Sequence, residues 1–151
     1  MGTLDPTMYD DILLPTDGSD GIAAAATHAE TLADRFDATV HVLSVVDTRN
    51  RFESPASGLS AEAWVDAERD RAERAAENTV ALLCEDLSVE TITIEGVPKT
   101  AILDYVEDEG MDLVVMGTHG RTGLDHYLIG SVAEKVVRRS PVPVVTVRLT
   151  E

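Results

Sequence analysis

Five short apolar runs alternate along this chain with longer segments of helical pattern, and that alternation restricts the fold more than any other feature. Residues 11–15 (DILLP) read as a buried strand entering a turn at Thr16-Asp17-Gly18-Ser19. Residues 21–36 place Ile22, Ala26, Ala29, Ala33 and Phe36 on one helical stripe, with Ser19 or Asp20 as the expected cap. Residues 39–46 are apolar on both faces, as in a central strand. Residues 47–59 form a polar loop of the length at which loops usually serve a function. A long helix is expected over 60–87, an edge strand over 89–95, and a helix over 98–109 with Pro98 near its start and Gly110 just past its end. A strand over 113–116, a helix over 131–140 and a last strand from Val142 to Val147 complete the chain. Strand following helix in this way predicts a parallel sheet with helices on both faces and right-handed crossovers. The expected fold class is therefore α/β: a single doubly wound domain over 8–151 behind a short tail at 1–7. Pro143 has no N–H to donate, so the last strand belongs at a sheet edge. Such an edge, reading Val-Val-Thr-Val, pairs readily unless something covers it, and a second copy of the chain would do so.

Charge narrows the function. Asp and Glu total 28 against 12 Lys and Arg, a net charge of −16, and Lys99 and Lys135 are the only lysines. This field repels phosphate backbones and anionic lipid, which argues against nucleic acid and membrane as partners. The composition is similar to that of proteins from salt-loving archaea, where molar salt shortens the Debye length to about 3 Å and screens self-repulsion. No apolar run is long enough to span a bilayer, the N-terminus has no export pattern, and Pro6 breaks the myristoylation pattern. A cytoplasmic location is expected. The lone Cys84 has no intrachain partner, in keeping with a reducing compartment, and reads as a small residue of the long helix.

The chemistry-bearing segment begins at the end of the fourth strand. It runs Met116-Gly117-Thr118-His119-Gly120-Arg121-Thr122-Gly123 and resumes at Gly130-Ser131, where a helix opens. Glycines let backbone amides approach a phosphate without a Cβ in the way. The helix start adds unpaired amides and the positive end of a dipole, typically about 0.3–1 kcal/mol per anionic charge. Ser131 adds a hydroxyl, while Arg121 and His119 are placed to meet a terminal phosphate. Ser131 and Glu134 also match a capping box, so the serine has a purely structural reading as well.

Asp17 supplies the other half of the expected site. Ligands of open parallel sheets sit beyond the carboxyl ends of the strands, where the strand order reverses. With the first and fourth strands adjacent, Asp17 and Gly117 would face one crevice. A carboxylate repels a triphosphate, so Asp17 would accept hydrogen bonds from ribose hydroxyls or an adenine amino group. The alternative is that Asp17 only closes its own turn.

At these residues the chain resembles the universal stress protein family, in its ATP-binding branch. The blocks are 12–19, 42–47 and the signature Gly-x2-Gly-x9-Gly-Ser at Gly117, Gly120, Gly130 and Ser131, with a similar C-terminus at 141–148. The resemblance implies a five-stranded sheet of order 3-2-1-4-5 and a homodimer through the last strand. It places Asp17 at adenine or ribose, the Val45 backbone at the adenine edge and Gly117 near the ribose. Gly120, Gly130, Ser131 and Val132 would hold phosphates, and Pro15 and Met116 lie beside them at the strand ends. ATP is the implied ligand, with AMP or ADP as alternatives. Because no lysine flanks the site, a magnesium ion bridging the phosphates is expected.

The leading functional expectation is a nucleotide-dependent regulatory module whose state an unidentified protein partner reads. No residue is assigned a catalytic role, and no Gly-x4-Gly-Lys-Ser/Thr loop is present. His119 alone would be a phosphate contact rather than a catalyst. His28, His41 and His126 share no metal-like spacing, so no metal site of the protein's own is expected. The alternative is a slow ATP hydrolase or autophosphorylating phosphotransferase with Thr118, Thr122 or Ser131 as acceptor. A phospho-receiver domain is disfavoured, because Arg148 rather than a lysine follows the last strand.

Overall fold

The computed structural model describes residues 8–19, 21–48, 60–118 and 130–148. The tail at 1–7, most of the 47–59 loop and the loop residues His119 to Gly123 lie outside them, as does His126. Among the described residues nine elements follow in order: β1 (Asp11–Pro15), α1 (Ile22–Phe36), β2 (Thr39–Asp47), α2 (Ala61–Val80), β3 (Ser88–Gly96), α3 (Pro98–Asp108), β4 (Leu113–Gly117), α4 (Ser131–Arg139) and β5 (Val144–Val147). The strands form one parallel sheet of order β3-β2-β1-β4-β5, as expected.

Strand side chains alternate between two cores, because successive residues of a strand face opposite sides. Ile12, Leu14, Val40, Val42, Leu113 and Val115 pack under α1 and α2, against Ala25, Ala29, Ala33 and Ala76. Leu13, Leu43, Val114 and Met116 face α3 and α4, against Ile102, Val106, Ala133 and Val136. The alanine stripe of α1 has no long side chain to hold the helix away from the sheet. Helices α1 and α2 thus share one face while α3 and α4 share the other. The chain changes face between β3 and β4, which leaves the switch point between β1 and β4.

Several local expectations are corrected. Helix α1 begins after Gly21 with no side-chain cap, and the Ile22 amide donates to the Ser19 carbonyl instead. Helix α2 stops at Val80 rather than continuing to 87. Its last turn tightens as the Leu82 and Leu83 amides reach back three residues, to Thr79 and Val80, and Leu83 is buried in the core. Tertiary burial of Leu83 here outweighs helical propensity. Cys84 therefore lies in an exposed turn, not a helix, where its amide donates to the Glu30 carboxylate. β5 starts at Val144, and the Pro143 carbonyl accepts the Val114 amide ahead of it. Gly110 does end α3, at a φ of +66° that favours glycine.

His41, to which the sequence assigns no role, is a buried clasp at the amino end of the sheet. Its Nε2 lies 2.9 Å from Asp11 Oδ1, and its Nδ1 lies 3.1 Å from the Tyr105 hydroxyl and 3.2 Å from Glu90 Oε2. A carboxylate only accepts, so Nε2 donates to Asp11, while Nδ1 faces both the Tyr105 hydroxyl and the Glu90 carboxylate. The Tyr105 hydroxyl is held above its usual range, first by burial and then by the negative charges of Glu109, Glu90 and Asp11. β1, β2, β3 and α3 are tied together at this end, away from the strand ends where a site can open.

Candidate functional site

A cleft opens at the carboxyl ends of β1, β2 and β4. Pro15, Thr16 and Asp17 enter it from β1, Ser44, Val45 and Asp47 from β2, and Met116, Gly117 and Thr118 from β4. The first turn of α4 closes one end through Gly130, Ser131, Val132 and Ala133. Helix α2 walls the other with Glu68, Arg71, Ala72 and Ala75. Tertiary structure thus unites Asp17 and Gly117, as their places beside the switch point require.

The β1 turn is tightly specified. The Thr16 amide donates to the Leu43 carbonyl at 2.8 Å, which continues the sheet one residue past β1. The Gly18 amide donates to Thr16 Oγ1 at 3.2 Å, and the Ser19 amide to Asp17 Oδ1 at 2.9 Å. Gly18 sits at a φ of +78°, and a Cβ built there would meet the Ala75 Cβ at 3.3 Å. The left-handed backbone favours glycine, and the close approach to α2 leaves little room for a side chain. Asp17 therefore closes its own turn and also lines the cleft; the two readings of that residue coexist.

At the other end, α4 is not opened by a capping box. Gly130 is the N-cap with no side-chain cap bond, and Ser131 is already the first helical residue, exposed. The Gly130 amide is used within the chain, donating to the Thr118 carbonyl at 2.5 Å, which anchors the helix start to the end of β4. The Glu134 amide makes the first helical bond, to the Gly130 carbonyl at 2.9 Å. The amides of Ser131, Val132 and Ala133 precede that ladder and stand at the positive end of the helix dipole.

Charge is distributed unevenly along the cleft. Asp17, Asp47 and Glu68 stand on the β1–β2–α2 side, the last two buried, with Arg71 paired to Glu68 one helical turn on. The α4 side carries the dipole end. At about 4 Å two like charges cost roughly 1 kcal/mol in water and roughly 4 at the effective dielectric of a protein surface. An anion is thereby directed to α4 and hydrogen-bond donors to the acidic side.

Of the candidate residues, Pro15, Asp17, Val45, Met116, Gly117, Gly130, Ser131 and Val132 all line this cleft. His119, Gly120 and Arg121 lie outside the described residues. The sequence reading missed the α2 wall. Its signal was present as Glu68, Arg71, Ala72 and Ala75, which recur at helical spacing. Among the described residues no cluster of His, Cys, Asp and Glu suits a metal ion, and no helix is long and apolar enough to cross a membrane.

Comparison with known proteins agrees with this architecture. The model of the universal stress protein family matches residues 8–148. The chain is 40% identical over 146 residues to the universal stress protein MJ0531 of Methanocaldococcus jannaschii, an alignment covering 93% of this chain and 83% of that protein. The solved structure of universal stress protein UspA from Lactobacillus plantarum superposes with a TM-score of 0.78 at 30% identity, over 93% of this chain and 98% of that one. A universal stress protein solved in complex with cAMP matches with a TM-score of 0.60 at 25% identity, over 93% and 97% of the two chains. By its family match over nearly the whole of its length, the chain belongs to the universal stress protein family.

Proposed function

We propose that this protein is an ATP-binding regulatory module of the stress response, with the nucleotide lying across the switch-point cleft. The carrying observation is the opposed character of the cleft's two ends, with carboxylates at β1, β2 and α2 and unladdered amides at α4. Adenine and ribose present N–H and O–H donors, which suits Asp17 and the backbone beside Val45. The phosphates then reach the amides of Ser131, Val132 and Ala133. Gly117 and Gly130 keep this path clear of side chains, and Gly130 does so without offering its own amide. Gly120, Arg121 and His119 are proposed contacts of the terminal phosphates, as the signature implies. The cAMP complex of a relative supports an adenine nucleotide in this fold. Magnesium is proposed as an ion carried by the phosphates. The homodimer is proposed along the outer edge of β5, and a further protein partner reads the occupied state.

Titration calorimetry with ATP, ADP, AMP and GTP, with and without magnesium, tests this reading. ATP is expected to bind, and more tightly with magnesium; absence of binding by any adenine nucleotide defeats it. The net charge of −16 further suits a cytoplasm at molar salt. The melting temperature is expected to climb steadily from dilute buffer to molar KCl. A flat or falling series would contradict the halophilic reading.

A further inference from the structure

Thr79 is buried at 1% exposure on the last turn of α2 and takes no part in the cleft wall, yet its hydroxyl reaches the site through one neighbour. Its Oγ1 lies 2.8 Å from the Ala75 carbonyl and 2.8 Å from Thr16 Oγ1. A hydroxyl has one proton, and a carbonyl can only accept it. Thr79 Oγ1 is the donor toward both, its one proton shared between the Ala75 carbonyl and Thr16 Oγ1. Thr16 Oγ1 in turn accepts the Gly18 amide at 3.2 Å. Thr16 Oγ1 therefore accepts from two sides, and these contacts link the β1 turn to the backbone of α2.

We infer that Thr79 is a positioning residue for the nucleotide site, which orients the β1 turn and with it Asp17. The inference rests on the proposed placement of the nucleotide. Its physical basis is that Thr16 Oγ1 is fixed between two donors, the Gly18 amide and the Thr79 hydroxyl. Thr16 is thereby held in one rotamer between the strand and the helix. The carboxylate of Asp17 follows directly in the chain and closes onto the Ser19 amide, so the direction of Thr16 sets where Asp17 meets the cleft. Apolar packing of Gly18 on Ala75 sets the distance between turn and helix; the hydroxyl chain sets the orientation.

Thr79→Val keeps the shape of the side chain and removes its hydroxyl. The probes are adenosine, which has no phosphates, and inorganic tripolyphosphate, which has no base or sugar. Thr79→Val is expected to weaken adenosine about five- to tenfold, while Thr79→Ser stays within about twofold of wild type. Tripolyphosphate binding is expected to be unchanged in both. In an Asp17→Ala background, Thr79→Val should add nothing further, since it acts through that residue. A variant that binds adenosine as wild type does, that weakens both probes equally, or whose effect adds fully to Asp17→Ala overturns the inference while leaving the site reading in place. A wild-type protein that binds no adenine nucleotide overturns both. Should Thr79→Val fail to fold, Thr16→Val breaks the same chain from its other side, and the same two probes decide.

Discussion

Gly130→Val is expected to reduce ATP affinity by about 100-fold or more. The residue is buried, lines the cleft and forms the N-cap of α4. Its φ of −64° and ψ of 154° are extended values open to any residue, so a valine backbone is not strained there. The effect falls on the space ahead of the helix, where an isopropyl group would stand between the phosphates and the amides of Ser131 and Val132. Two hydrogen bonds to charged oxygens, at about 1.5 kcal/mol each, come to about 3 kcal/mol, or roughly two powers of ten. The Gly130 amide keeps its bond to Thr118, so circular dichroism should show the same fold. Calorimetry giving an unchanged affinity in a folded variant would remove α4 from the site.

Asp17→Ala is expected to act on the opposite end of the ligand. Loss of a carboxylate that accepts ribose or adenine donors should weaken adenosine by about 10- to 100-fold, the range of a charge-assisted bond. Tripolyphosphate should bind as well as before or better, because one repelling charge has gone. Opposite responses of the two probes are the signature of a polarised cleft. Equal loss of both would mean that the residue only shapes its turn, and unchanged adenosine binding would exclude Asp17 from the ligand.

Together the two variants separate what was legible in the chain from what was not. The β1 turn is readable because Thr16, Asp17, Gly18 and Ser19 act on one another over two or three residues. Gly117, Gly130 and Ser131 are readable because a strand end and a helix start are local events with a recurrent spacing. Even there the capping-box reading of Ser131 failed: the helix starts one residue earlier, where Gly130 is held by the Thr118 carbonyl. Long-range hydrogen bonding displaced a local rule. Likewise α2 ends at Val80 because Leu83 is drawn into the core, a gain that propensity within the segment does not register.

The order of strands and helices, the parallel sheet, the acidic surface and the glycine loop were set by the sequence alone, through periodicity, charge and the missing side chains of glycine. Only the tertiary structure decided that Glu68 and Arg71 border the cleft and that Thr79 reaches Thr16 across 63 positions of chain. Those contacts depend on the rotation of α2 about its own axis and its height above β1. Both are settled by how Ala72, Ala75 and Ala76 pack against the rest of the fold. Many sequences of the same pattern would place that helix nearby, but packing at atomic contact fixes which of its side chains face the ligand.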